Sequence, residues 1–141
     1  MLQKIISIKN VGRFLNYSAS GDVGLKHYDL LFAENGRGKT TLCAILRSMQ
    51  SGDPAYVIGR ATPGTGDAPA IKILFDGGLA KFENGLWNKT LPDLAILDST
   101  FVSQNVYSGD AVELGHKRNL YNFPSVETGN DLSGIQIRVC G

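Results

Sequence analysis

Hydrophobic and polar positions along the chain follow two different periods, and the switch between them divides it into elements. From Gln3 to Lys9, Ile6 and Ile8 alternate with Ser7 and Lys9, while Ile5 extends the apolar character to both faces; this predicts a first strand. Asn10-Val11-Gly12 turns the chain, and Arg13 to Tyr17 returns as a second short strand. Ser18 to Gly24 is small, polar and glycine-bearing, a loop before the compact apolar run that closes His27 to Phe32 and predicts a buried strand. The period then changes. Leu42, Ile45, Leu46 and Met49 fall at i, i+3, i+4 and i+7, the stripe of a helix packed on a sheet, with Gly52 and Pro54 supplying its stop.

Period two returns after a glycine- and proline-punctuated stretch, Ser51 to Pro69, that predicts a long surface excursion able to cover a neighbouring site. Ala70 to Asp76, Leu79 to Glu83 and Leu86 to Lys89 are three short strands separated by Gly77-Gly78 and Asn84-Gly85, which predicts an antiparallel meander with Trp87 packed across it. Leu94 to Asp98 is an apolar strand ending in an acid. Ala111 to Tyr121 is compatible with a short helix. Pro124, Gly129 and Gly134 then break the chain before a last alternation from Ile135 to Val139.

Between the buried strand and the amphipathic helix stands Ala33-Glu34-Asn35-Gly36-Arg37-Gly38-Lys39-Thr40-Thr41, which matches the Walker A pattern with Ala33 where Gly is commoner. The residue types follow from the chemistry of a polyphosphate. Gly36 and Gly38 let the backbone curl so that successive N–H groups point inward as an anion nest. Lys39 is placed to put its ammonium on the β- and γ-phosphates, Thr40 to offer a hydroxyl to Mg²⁺, and Thr41 to add a contact at the α-phosphate. The following helix would direct its positive end at the same anion. Asn35, Gly36, Arg37, Gly38, Lys39, Thr40 and Thr41 are therefore the candidate nucleotide-binding residues, with ATP and Mg²⁺ the expected ligands.

Composition narrows the class without naming a partner. A chain of 141 residues is the size of one domain, and 43% hydrophobic with 19% charged residues describes a globular chain. The net charge of +1 gives no global attraction to nucleic acid or membrane, so either would need a local patch or the rest of a larger protein. Cys43 and Cys140 have no Cys or His at metal-ligand spacing, which implies a reduced, cytoplasmic setting. No apolar run approaches the length of a membrane span, and the N-terminus lacks a signal-peptide pattern.

Further chemistry is sparser. Leu94 to Asp98 has the form of a Walker B strand, but the acid expected after Asp98 is replaced by Ser99. The next stretch, Phe101 to Tyr107, better fits a loop carrying a Gln to the metal and the attacking water, which makes Gln104 the candidate catalytic residue and, with Thr40, a candidate metal ligand. Arg60 and His116 have no spacing that aims them at a site.

Three segments together resemble a known group: Ile8 to Phe14, Phe32 to Leu42, and Asp98 to Gly109. They are similar to bacterial AAA-type P-loop ATPase domains with an ABC/SMC-like head, as in SMC-like DNA-repair ATPases and the ATPase half of restriction-linked anticodon nucleases. The resemblance covers residues 3 to 121 and implies the N-terminal lobe of such a head, carrying Walker A and the Q-loop. A coiled coil and a C-terminal lobe with the signature, Walker B and a switch His would follow, and two heads would sandwich ATP.

This chain has no heptad run after Tyr121 and no apolar strand ending in Asp-Glu. The expectation is an α/β fold: a P-loop lobe over 1–121, with an antiparallel β meander beside a small core sheet and the helix that follows the loop, then an irregular tail over 122–141, truncated or foreign to the lobe. Its partners are ATP and a second head or the missing lobe, with nucleic acid reached only through a parent protein and no membrane. Hydrolysis by this chain alone is not expected. A small P-loop phosphotransferase and a non-catalytic remnant or interaction module are the rival readings.

Overall fold

The computed structural model describes residues 1–22, 24–26, 28–98, 101 and 135–139. It is a mixed α/β fold of two sheets and two short helices among the described residues. Strands β1 (Leu2–Val11) and β2 (Phe14–Ser18) form a hairpin; β3 (Tyr28–Leu31) leads through the glycine loop into α1 (Lys39–Ser51); α2 (Ala55–Ile58) follows. Then come β4 (Ala70–Phe75), β5 (Gly78–Glu83), β6 (Leu86–Trp87), β7 (Leu94–Leu97) and β8 (Ile135–Val139).

The meander and the N-terminal hairpin are one sheet. Its order is β2-β1-β4-β5-β6, antiparallel throughout, because β1 pairs with β4 from Leu2↔Phe75 to Lys9↔Ala70. The second sheet is parallel, β3-β8-β7. The last described segment is therefore its middle strand. Within the stretch 122–141, expected to be an irregular tail, the Ile-Gln-Ile-Arg-Val alternation supplies a strand that bonds β3 on one side and β7 on the other.

One core joins the sheets. Ile8, Val11, Ile71, Ile73, Ala80 and Phe82 from the antiparallel sheet, Leu94 and Ile96 from β7, and Ile45, Leu46 and Met49 from α1 belong to a single buried cluster. The apolar stripe expected on α1 is only part of what it buries. Cys43, Ala44 and Ser48 are buried as well, so burial extends well beyond one stripe and leaves the side of Thr40, Arg47 and Ser51 the least covered. Two opposed layers explain this. Gln50 Nε2 donates to the carbonyl of Leu94 at the β7 side, and Trp87 Nε1 donates to Ser48 Oγ at 2.8 Å from the antiparallel sheet. Trp87 also meets Phe82 edge-on at 5.3 Å, covering the meander as its pattern predicts while reaching the helix through its one polar atom.

The stretch from 51 to 69 is more structured than its composition suggests. It holds α2, whose Val57 is fully buried, and it is stitched to the β1–β2 turn. Gly12 N–H donates to the Arg60 carbonyl, Thr62 N–H to the Asn10 carbonyl, and Thr62 Oγ1 to the Gly12 carbonyl. One buried side chain and a few hydrogen bonds, those three among them, fix a segment with no periodicity to betray them.

Since Leu46 is fully buried between the layers, Leu46→Ala should cost about 2–5 kcal/mol through lost transfer energy and an unfilled cavity. A urea-denaturation midpoint compared with the parent chain checks this.

Candidate functional site

The glycine loop sits where β3 ends and α1 begins, and its conformation is set by its own sequence. Gly36 and Gly38 have φ of 80° and 95°, a region closed to most side chains, and Gly38 is the residue that caps α1. No side chain caps that terminus. Among the described residues none accepts a hydrogen bond from the backbone N–H groups of Gly36, Gly38, Lys39, Thr40 or Thr41. A cluster of unpartnered donors at the start of a 13-residue helix is a region of positive potential.

Lys39 is turned back onto the loop. Its ammonium donates to the carbonyl of Ala33 and, at 3.3 Å, to that of Glu34. The only acceptors it meets among the described residues are thus the loop's own carbonyls, a cation without a formal counter-charge. Arg37 is held by Glu34, with Nη2–Oε2 at 3.0 Å; both side chains are largely exposed, so this pair orders the loop without contributing much stability. Asn35 and Thr40 are exposed.

The β1–β2 turn packs directly against this loop. A Cβ on Gly38 would lie 2.9 Å from the ring of Phe14, and one on Gly12 would lie 2.7 Å from Thr41 Oγ1. Both contacts leave no room for a side chain. Thr41 therefore faces the turn. The same turn brings Arg13 to the loop: its Nη2 is 3.9 Å from where a Cβ of Gly36 would stand. Sequence reasoning quoted Arg13 and Phe14 without assigning them to the site, and the missing signal was the pair of glycines that lets turn and loop touch.

Other candidates are placed elsewhere. The Arg60 guanidinium donates to the carbonyl of Tyr56, one turn back along its own segment. Gln104, His116 and the helix expected over 111–121 lie outside the described residues. Asp98, the acid at the end of β7, is already occupied by protein groups. Arg47 Nη2 lies 2.5 Å from its Oδ1, the Phe101 N–H donates to the same oxygen at 2.9 Å, and the Cys43 thiol adds a third contact. Arg47 and Cys43 are four residues apart on α1, hence on one face.

Burial opposes ionisation of Asp98, but the Arg47 hydrogen bond, the Phe101 N–H and the Arg47 charge outweigh it and hold the carboxyl below its usual range. Burial and the Asp98 charge push the Cys43 thiol up to about 11, so it is a protonated donor at neutral pH. This cluster ties β7 to α1. Among the described residues no group of three or more His, Cys, Asp or Glu could hold a metal ion, and no helix is long and apolar enough to cross a membrane.

Comparison with family models, with curated proteins and with solved structures finds no match to this chain.

Removing Arg47 leaves a buried carboxylate without its cation, so Arg47→Ala should cost about 3 kcal/mol at pH 7. A lowered carboxyl pKa means that the pair stabilises above the unfolded value of about 3.9 and is lost as pH falls through the folded one. The gap between variant and parent urea midpoints should therefore shrink in acid, and Arg47→Ala combined with Asp98→Asn should recover part of the loss at pH 7.

Proposed function

We infer that the chain binds Mg·ATP through residues 33 to 41, as the N-terminal lobe of an ABC/SMC-like P-loop ATPase head. The observation that carries this reading is the set of unpartnered N–H groups at Gly36, Gly38, Lys39, Thr40 and Thr41, beside a lysine whose described acceptors are loop carbonyls. Such a set fits a polyphosphate: several neighbouring donors lack a protein acceptor, the helix dipole would add to them, and Lys39 would exchange a carbonyl for an anionic oxygen. The strand, glycine loop and helix also occur in the order that this binding mode requires.

Arg13, beside Gly36, would add a second cation at the same anion. Mg²⁺ typically keeps several waters and takes few protein ligands along with phosphate oxygens; the exposed Thr40 hydroxyl suits that role, with Gln104 as its candidate companion. When bound there it would neutralise charge on the β- and γ-phosphates. Asp98 is not assigned to the ion, because Arg47, Cys43 and the Phe101 N–H already use its oxygens.

Turnover needs groups that orient water and stabilise developing charge, and the resemblance assigns most of them to a C-terminal lobe and a second head. A small P-loop phosphotransferase would instead need a lid rich in arginine, yet Arg60 is bonded to Tyr56 and Arg47 to Asp98.

Titration of the full chain with ATP and Mg²⁺ should give saturable binding, with little release of phosphate measured separately. Lys39→Ala should weaken binding at least about tenfold at unchanged circular dichroism, and Arg13→Ala by about tenfold, the worth of one charge-assisted hydrogen bond. Absence of binding in the parent chain would leave the remnant reading, and transfer of phosphate to a small acceptor would establish the phosphotransferase.

A further inference from the structure

The face of the antiparallel sheet turned away from α1 carries an organised set of cations. Ile71, Ile73 and Phe75 of β4 and Ala80 and Phe82 of β5 point into the core, so their neighbours Lys72, Leu74, Leu79 and Lys81 point outward. On β1 the spacing is irregular. Register shifts between Leu2 and Lys4 and between Ile5 and Ser7 bring Lys4, Ser7 and Lys9 to the same outer side as Lys72.

Cross-strand register then arranges these residues in rows. Ser18, Ser7, Lys72 and Lys81 form one row across β2, β1, β4 and β5. Lys4, Leu74 and Leu79 flank it on one side, and Asn16, Lys9 and Ala70 on the other. Lys72 and Lys81 are directly opposed, an arrangement of like charges that disfavours the sheet. Among the described residues neither forms an ion pair, and neither does Lys9. Glu83, two residues beyond Lys81, is the acid nearest them along β5. A net charge of +1 for the chain conceals this asymmetry.

We propose that this outer face binds the phosphate backbone of a nucleic acid, with Lys9, Lys72 and Lys81 as its ionic contacts. Neighbouring strands are about 4.8 Å apart and outward positions on one strand about 7 Å apart, so Lys72 starts about 5 Å from Lys81 and about 8 Å from Lys9, and the outer two start about 12 Å apart. One strand of a duplex presents a charge about every 3.4 Å of its axis, about three or four phosphates over that span, so each of the three ammonium groups can meet one. Lysine, serine and asparagine side chains are the groups that bond phosphate oxygens and fix position without reading bases, and Ser7, Ser18 and Asn16 stand in these rows. A membrane surface would call for a broad apolar or aromatic face to insert, whereas here the outward apolar pair beside the lysines, Leu74 and Leu79, is half-buried, and the exposed Leu86 stands beyond them opposite the acid Glu83.

The test is fluorescence anisotropy of the full chain against labelled duplex DNA, with single-stranded DNA and duplex RNA in parallel. Binding to any of the three supports the proposal and identifies the nucleic acid. For three contacts on duplex DNA the log–log salt slope should be about −2.7, about 40-fold weaker binding at 200 mM than at 50 mM salt. Lys72→Gln combined with Lys81→Gln should bring the slope to about −1, and Lys9→Gln alone should reduce its magnitude by about one, both at unchanged circular dichroism.

Lys39→Ala should leave this binding intact, which separates the sheet from the glycine loop. Failure to bind all three probes at 50 mM salt overturns the proposal. So does a slope unchanged in the double variant, a loss of binding in Lys39→Ala, or adsorption to phosphatidylserine vesicles without binding to nucleic acid.

Discussion

Helix α1 is enclosed by two sheets of different kinds, and most of what the chain does locally follows from that enclosure. A helix against one sheet needs one apolar stripe; a helix between two needs small or satisfied residues on its remaining sides. Cys43, Ala44 and Ser48 meet that need, the first as a donor to Asp98, the second by size and the third as acceptor from Trp87. Ser48 in turn donates to the carbonyl of Asp53 at 2.6 Å, so a fully buried hydroxyl has both its roles filled. The start of this immobilised helix is the point where the loop's N–H groups gather. Rigidity of the scaffold and openness of its end are produced by the same packing.

The turn between β1 and β2 provides the other constraint. Two glycines, one in the turn and one in the loop, remove the side chains that would keep the two segments apart. Phe14 fills the space at Gly38 and Thr41 the space at Gly12. Arg13 then reaches the loop as a consequence of backbone contact, and the hydrogen bonds from Gly12 and Thr62 continue the same layer into the segment after α2.

Much of this was legible in the residues, for identifiable reasons. Strands β1, β4 and β5 alternate, the glycine loop has a fixed spacing, and Leu42, Ile45, Leu46 and Met49 repeat as a helix does, so these elements lie close to where their periods put them. What period cannot convey is which strand joins which. The pairing of β1 with β4, which merges the hairpin and the meander, depends on contacts far apart in sequence. Burial of Val57 in a segment broken by proline and glycine was equally hidden, since one apolar residue has no period. The Arg47–Asp98 pair was hidden for another reason: nothing in an apolar strand ending in an acid says whether that acid will meet a metal or an arginine.

The position of β8 has a consequence for how the fold assembles. The antiparallel sheet and α1 are complete by Trp87, although joining β1 to β4 already closes the stretch between Val11 and Ala70, whereas β3 acquires its parallel neighbour from the far end of the described sequence. Closing so long a loop carries an entropic cost that contacts must first offset, and parallel pairings of this kind form slowly. The strand that feeds the glycine loop is therefore bonded on its β8 edge only after nearly all of the described chain has emerged. A fixed β3, and with it a fixed start to the glycine loop, is thus a late property of the folding chain, acquired after the antiparallel sheet has its own hydrogen bonds.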